Sequence, residues 1–213
     1  MNEAYYVLED GVKTGPFSYE EVIEQEIGVD TQICTLDTDW QNASYLPEFA
    51  EYFESLGYIF PTEENLAGFG WRALAFLIDY FMIGICVMYL AVSQSWIVLP
   101  APTATLESSM KSMFSQRSFQ YTELAFAIIF VTYNILFELM PTRGTIGKRL
   151  FSMRVVDEDG DRLTFIRSLV RSIGLLTGFN IFGLIIAIVS FFLSKNRQAW
   201  YEQVTKTYVV RME

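Results

Sequence analysis

Three long apolar runs dominate the pattern of apolar and polar positions along the chain, and they follow a mixed, largely polar segment. The runs are 73–92, 124–140 and 173–193. A helix of about 20 apolar residues crosses the ~30 Å hydrocarbon core of a bilayer. The pattern therefore predicts membrane spans at about 73–92 and 122–140.

The third run allows two interpretations. Hydropathy alone makes 173–193 a single span. However, 151–156 (FSMRVV) and 205–211 (TKTYVVR) both have the composition of strands, and pairing between them requires one compartment. We therefore favour an apolar hairpin of two short helices, at about 163–177 and 181–194, and keep a third span over this stretch as the alternative.

The first helix of this hairpin is predicted to be amphipathic. Arg167 and Arg171 lie opposite a row of apolar side chains, which are Phe165, Ile166, Leu169, Val170 and Ile173. The two helices meet at 177–180, which has the sequence Thr-Gly-Phe-Asn.

The segment before the spans has the pattern of a small α+β domain. Residues 4–8 (AYYVL) predict a strand, and 32–35 predict a second one. The spacing Ser-x-x-Glu at 18–21 is typical of a capping box and predicts a helix that ends near residue 28. A second helix is predicted over 44–57, with proline in its first turn and glycine at its end.

The distribution of charge supports the same division. Residues 1–68 contain 15 acidic side chains and one base, whereas 69–213 contain 10 acids and 14 bases. We therefore predict an acidic soluble domain at 1–60, a linker at 61–70 and a membrane domain at 71–213. The predicted fold is a multi-span α-helical membrane domain with a small cytoplasmic β element, preceded by a small soluble α+β domain.

The bases between the apolar runs predict the orientation. Residues 141–172 contain seven bases and 93–123 contain two, which places the first of these segments in the cytoplasm. The beginning of the chain has no basic segment followed by an apolar core, so we expect no cleavable signal peptide. The N-terminal domain is then expected on the cytoplasmic side as well.

Composition excludes several classes of function. The chain has no histidine, so histidine-based catalytic triads and histidine-ligated zinc sites are excluded. Cys34 and Cys86 cannot form a disulfide framework or a Cys-x-x-Cys metal site. No glycine-rich phosphate loop is present, and the acidic balance argues against nucleic acid. We predict that the protein is not an enzyme and has no cofactor, metal or nucleic-acid partner.

Charged residues inside the predicted spans are the main candidates for function. Arg72 and Asp79 are two turns apart on one face of the first span, with Asp79 about 10 Å deeper. A carboxylate inside the bilayer costs about 2.5–3.5 kcal/mol on insertion scales, so it should face protein or water. Glu138 lies at a similar depth on the second span. We expect Asp79 to pair with Arg72 or with a base after that span, namely Arg143, Lys148 or Arg149.

Three segments resemble the RDD membrane family over about 70–210. They are WRALAFLIDYFMIG at 71–84, TIGKRLFSMRVVDEDG at 145–160 and RQAWYEQVTKTYVV at 197–210. The family is named for an arginine and two aspartates. By position, Arg72 matches the arginine and Asp79 the first aspartate, while Glu202 occupies the place of the second.

The resemblance implies transport, with cation/proton exchange through intramembrane carboxylates proposed for some members. So few helices do not enclose a path, which implies a homo-oligomer or a larger membrane complex. Two interpretations of the ions stay open. In one, Arg72, Asp79, Glu138 and the Lys148-Arg149 pair form a structural network. In the other, Asp79 and Glu138 bind a cation or proton alternately.

A second resemblance concerns the N-terminal domain. Tyr5-Tyr6, the step Gly15-Pro16-Phe17 and Trp40 before a Leu-Pro segment are similar to the GYF-like module, which is common in bacterial membrane proteins. GYF domains bind proline-rich peptides on an aromatic surface. The resemblance implies that Tyr6, Phe17 and Trp40 contact a peptide; the alternative is that all three form the domain's core. It also implies a location in the bacterial cytoplasmic membrane and a rival function, that of a non-transporting adaptor that recruits a protein partner.

Overall fold

The computed structural model describes residues 4–9, 11–36, 38–96, 105–108 and 117–212. The chain divides into two compact units. The first is Met1–Phe60 together with Asp159–Asp161, and the second is Pro61–Glu158 together with Arg162–Glu213.

A four-stranded antiparallel sheet in the order β2-β1-β3-β4 forms the framework of the first unit. Its strands are β1 (Tyr5–Glu9), β2 (Val12–Phe17), β3 (Gln32–Cys34) and β4 (Gln41–Asn42). The predicted strands at 4–8 and 32–35 correspond to β1 and β3. Strand β2 was not predicted because its sequence VKTGPF contains glycine and proline, which are depleted in strands.

Two short helices, α1 (Tyr19–Glu24) and α2 (Ala50–Ser55), complete this unit. The predicted capping box before α1 is confirmed, with Ser18 and Glu21 each accepting the other's backbone N–H. The helix predicted over 44–57 is wrong in its first half, where two 3₁₀ turns precede α2. Proline at 47 disfavours helical backbone in the residue before it, so a continuous helix cannot form there. The core contains Tyr5, Val7, Val22, Ile33, Phe49 and Phe53.

The helices described in the second unit include α3 (Phe69–Ser93), α4 (Arg117–Leu139), α5 (Ile146–Leu150), α6 (Phe165–Leu176), α7 (Ile181–Leu193) and α8 (Trp200–Thr205). Helix α3 and the part of α4 from Phe119 onward are long and apolar enough to cross a membrane, as the apolar pattern predicts. The buried residues of α3 recur every fourth position, and they are Ala75, Asp79, Ile83, Val87 and Ala91. One face of α3 therefore packs inside the unit and the remainder is left for lipid or a partner.

The third apolar run is broken, as the favoured interpretation predicts. A 3₁₀ turn at Thr177–Phe179 separates α6 from α7, and the helical direction changes by 118° across the break. By length and composition alone, the described residues of the unit contain two candidate spans, or three if this bent pair is one.

A two-stranded antiparallel ribbon is the other main element of this unit. Strands β5 (Met153–Asp157) and β6 (Thr207–Arg211) pair in the register Val155 to Val209. The pairing confirms the expected partnership of the two strand-like segments. Its buried side chains pack with Ala67, Ala75 and Leu163, so the ribbon shares a core with the beginning of α3.

Candidate functional site

The side chain of Arg72, at the beginning of α3, contacts Glu202 of α8. Its Nη1 lies 2.6 Å from Glu202 Oε2, and its Nε and Nη2 donate to the carbonyls of Ala67 (3.0 Å) and Val209 (3.3 Å). The expected ion pair between Arg72 and Asp79 is therefore wrong. Side chains on a helix lean toward its N-terminus, so Arg72 is directed away from Asp79, which lies two turns further along.

Arg171 of α6 joins two buried acids. Its Nη2 lies 2.8 Å from Glu202 Oε1, and its Nη1 forms an ion pair with Glu138 Oε1. Glu138 also accepts from Lys148 Nζ at 2.7 Å and from the Ser168 hydroxyl at 2.9 Å. Arg171 is 2% exposed and both acids are buried, so these charges are separated from water.

We call the row Arg72–Glu202–Arg171–Glu138–Lys148 the ion chain, because its charges alternate along it. It connects α3, α8, α6, α4 and α5. Removal of one member leaves a buried neighbour with fewer partners, and breaking a buried ion pair in this way typically costs about 3–5 kcal/mol. The ion chain therefore fixes the relative positions of five helices.

The charges of the ion chain influence one another. Burial alone raises the pKa of Glu202, but Arg72 and Arg171 outweigh it and hold that pKa below the ordinary value. Burial and the Arg171 guanidinium lower the pKa of Lys148, against the opposing attraction of Glu138. Glu202 is therefore ionised at neutral pH, as its two arginine partners require.

Asp79 is held by three neutral donors. Its Oδ1 accepts from the Tyr133 hydroxyl at 2.7 Å and from the Gly147 N–H at 2.8 Å, and its Oδ2 accepts from the Thr145 hydroxyl at 2.6 Å. The residue is 4% exposed. Within the described part of the chain, no arginine or lysine forms an ion pair with it, contrary to the expectation of a basic partner. We call these three donors the Asp79 cradle.

A close backbone approach brings α5 to Asp79. Thr145 caps α5 by accepting from the Lys148 N–H at 3.4 Å. A Cβ at Gly147 would overlap the carbonyl oxygen of Ala75 and would lie 2.9 Å from Asp79 Oδ2. Only glycine fits at this position, and the absence of a side chain lets the Gly147 N–H reach the carboxylate.

A cavity of about 180 Å³ lies beside both the ion chain and the Asp79 cradle. Its polar lining consists of Arg72, Asp79, Asn134, Lys148, Arg171, Tyr201 and Glu202. The remaining lining is apolar and comes mainly from α3 and α7. Among the described residues, no group of three or more acidic or cysteine side chains is placed to hold a metal ion.

Four of the charged residues singled out in the sequence meet in the ion chain: Arg72, Glu138, Lys148 and Glu202. Asp79 lies in the adjacent cradle. Arg149 is exposed and forms no ion pair with any residue that the structure describes. The sequence pattern placed Arg171 on the polar face of a helix but did not identify it as the central member of the ion chain. The sequence signal for a buried Arg171 was the small size of its neighbours Ser168, Ser172 and Gly174. All three are buried in the structure.

The three aromatic candidates of the first unit occupy different environments. Tyr6 is half-buried with Lys13 Nζ 3.8 Å from its ring centroid, Phe17 packs against the core, and Trp40 is 39% exposed. No ring contact between any two of them is found in the described part of the unit. They therefore form neither a wholly buried core nor one stacked cluster, and their role in peptide binding stays a prediction.

Comparison with known families gives one match, over residues 66–205, to the family described as the RDD family. The matched region is about two thirds of the chain and contains the whole ion chain and the Asp79 cradle. It does not include the first unit, for which the GYF-like resemblance remains a prediction. Comparisons with curated proteins and with solved structures give no match.

Proposed function

We propose that this chain, which belongs to the RDD family of membrane proteins, moves ions or small solutes as part of an assembly. The second unit, which we call the membrane unit, carries this activity. Asp79 is the group that takes up and releases the cation or proton. The cavity beside it is the place where the transported species is held.

The state of Asp79 is the observation that supports this proposal. Glu138 and Glu202 are each neutralised by two bases, whereas the donors that the described part of the chain provides to Asp79 are uncharged. Ionisable residues inside the membrane that face a cavity commonly mark ion paths and proton relays. A carboxylate that lines a cavity and has no ion pair with a base is free to bind a cation or proton that enters the cavity.

The ion chain has a structural role in this proposal. Glu138 is held by Lys148 and Arg171 at once, so it does not alternate with Asp79 as a second exchange site. The bases of the ion chain instead keep α4, α6 and α8 in place around the cavity. This division assigns exchange to one acid and support to the other two.

Transport further requires an assembly. Of the most apolar part of each candidate span, only 28% is buried within the unit. Two spans and a bent pair of short helices leave most of their apolar surface uncovered and do not surround a path. We propose a homo-oligomer or a larger membrane complex in the bacterial cytoplasmic membrane, with the basic segment after α4 on the cytoplasmic side.

The test is ion flux in proteoliposomes that contain the full-length protein and a pH-sensitive dye. Addition of Na⁺ or K⁺ across a pH gradient should change the internal pH, and Asp79→Asn should abolish the change. The matched control is Glu123→Gln, because Glu123 is an exposed acid on α4 that does not line the cavity. Wild-type protein that gives no flux above empty liposomes would contradict the proposal, and so would full flux in a folded Asp79→Asn variant.

The exposed apolar side chains of the first unit favour a second candidate, a non-transporting adaptor that recruits a protein partner. Leu36 and Tyr45 are largely exposed, and Trp40 is partly so. Trp40→Ala in the full chain should lose a co-purifying partner without affecting membrane insertion, whereas Leu56→Ala, an exposed control in the same unit, should keep it. An unchanged set of partners in Trp40→Ala argues against recruitment through this surface.

A further inference from the structure

Helix α6 has its polar side inside the protein and its apolar side outside. Ser168, Arg171 and Ser172 are buried, whereas Phe165, Ile166, Val170 and Ile173 are exposed. In water this arrangement is unfavourable, since each Å² of apolar surface left exposed forgoes about 25 cal/mol. The medium that surrounds the outer face of α6 is therefore itself apolar.

The turn between α6 and α7 lies midway along the two spans. The ring of Phe179 contacts Phe76 and Tyr80 on α3 and Phe126 and Phe130 on α4, with centroid distances of 5.2–5.8 Å. Tyr80 is 11 residues beyond the beginning of α3, or about 16 Å along the helix. The turn therefore reaches about half the ~30 Å depth of the hydrocarbon core.

Helix α7 then returns to the end of α3 from which α6 started. The rings of Phe191 and Phe192 lie 5.5 and 5.4 Å from that of Phe69, the first residue of α3. A helix that continued across would bring these residues level with Ser93 instead. With 13 residues, α7 is about 20 Å long and is too short to span the core.

The β5–β6 ribbon fixes both ends of this stretch on one side. Strand β5 precedes α6 and β6 follows α7, and they pair along five residues. An open ribbon does not cross hydrocarbon, because its edge N–H and C=O groups would have no partners there. Two polar side-chain groups at the turn have partners within it. Asn180 Oδ1 accepts from Gly183 N–H at 2.8 Å, and the Thr177 hydroxyl donates to the Gly174 carbonyl at 2.7 Å.

We infer that Phe165–Leu193 is a re-entrant hairpin that enters one leaflet to about the bilayer midplane and returns. The acyl chains of that leaflet cover the exposed apolar faces of α6 and α7, which continue the lipid-facing surfaces of α3 and α4. The inference is independent of transport, because it concerns only the side on which each end of the hairpin lies. It excludes the third crossing span that hydropathy alone allows.

Cysteine labelling tests on which side of the membrane each end of the hairpin lies. In full-length protein with Cys34→Ser and Cys86→Ala, single cysteines replace three exposed residues: Arg154 on β5, Lys195 after α7 and Gln94 after α3. A membrane-impermeant maleimide should label Arg154→Cys and Lys195→Cys from the same side and Gln94→Cys from the other. Labelling of Lys195→Cys together with Gln94→Cys would overturn the inference, because it would place a crossing span between α6 and α8.

Spin-label accessibility tests the depth. A label at Phe182→Cys, an exposed position just after the turn that does not line the cavity, should collide with oxygen far more than with a water-soluble nickel chelate. A label at Lys206→Cys, an exposed residue in an ion pair with Glu158, is the control and should show the reverse preference. Preference for the chelate at Phe182→Cys would place the turn in water. Protection from both quenchers would show that protein, not lipid, covers it. Either result overturns the inference.

Discussion

Arg72 Nη1 lies 2.6 Å from Glu202 Oε2, across 130 residues of sequence. By the family resemblance, Arg72 and Glu202 occupy the positions of the arginine and the second aspartate. The arginine is therefore matched with the second acid, while the first acid, Asp79, is left to uncharged donors. Of the three family positions, two therefore form an ion pair and the third is a carboxylate held by uncharged donors.

The pairing of Arg72 with Glu202 predicts strong coupling between them. Arg72→Met and Glu202→Gln should each destabilise the protein by about 3–5 kcal/mol, because each leaves a buried charge with fewer partners. The double variant should be more stable than the sum of the two losses predicts, by about 0.5–3 kcal/mol on the usual scale of contact pairs. Thermal unfolding in detergent micelles measures all three, and strictly additive losses would contradict a direct pair.

The central place of Arg171 in the ion chain predicts that its loss destabilises the protein much more than the loss of Arg167, one turn away. Arg171→Met should destabilise the protein by about 3–5 kcal/mol, since it removes one of the two bases from both Glu138 and Glu202. Arg167→Met is the matched control, because the Arg167 side chain is 32% exposed and pairs with the exposed Glu158 as well as with Asp157. Its loss should be the smaller of the two, because water reaches the Arg167 side chain. Equal changes in the melting temperature of the two variants would remove Arg171 from the centre of the ion chain.

The close approach of α5 to α3 predicts that position 147 tolerates no side chain. Gly147→Ala should push α5 away from Ala75 and weaken the Asp79 cradle, with a loss of about 1–3 kcal/mol by analogy with overpacked cores. Gly84→Ala on α3 is the control, since its added Cβ meets nothing within 4 Å. That change should be neutral or slightly stabilising, because alanine favours helix by about 1 kcal/mol over glycine. A Gly147→Ala variant as stable as Gly84→Ala would contradict the geometry.

The lowered pKa of Glu202 predicts loss of stability in acid. A carboxyl whose pKa is lower in the folded than in the unfolded protein stabilises the fold above its ordinary pKa, and this contribution disappears as pH falls through the folded value. The melting temperature of the wild type should therefore fall as pH drops below about 4.5. Glu202→Gln, although less stable at neutral pH, should show a smaller fall over that range. If the melting temperatures of the wild type and Glu202→Gln fell in parallel with pH, Glu202 would be excluded as a source of acid sensitivity.

Local pattern was sufficient for the long helices and the strands of the membrane unit. Apolar length predicted α3 and α4, and the strand-like composition near residues 155 and 209 predicted the β5–β6 ribbon. Requiring one compartment for those strands also predicted the break near residue 178. Short elements were missed, including α5 and α8, because a helix of five or six residues has too little periodicity to stand out from a loop.

Partners within the site were predicted less well, because spacing along one helix does not determine side-chain direction. Arg72 and Asp79 share a face, but backbone tilt aims Arg72 toward the membrane surface, where Glu202 arrives from a distant segment. The sequence pattern placed Arg171 on the polar side of an amphipathic helix, and a soluble helix of this kind turns that side to water. A helix whose outer face contacts lipid instead turns its polar side to the protein interior, where Arg171 is buried.

The long separation between Arg72 and Glu202 also has a consequence during synthesis. A ribosome that adds about 5–20 residues per second needs on the order of 10 s to proceed from the arginine to the glutamate. During that time the first span has entered the bilayer without its acidic counterpart. A nascent chain interrupted in this interval would retain an unmatched guanidinium at the membrane boundary.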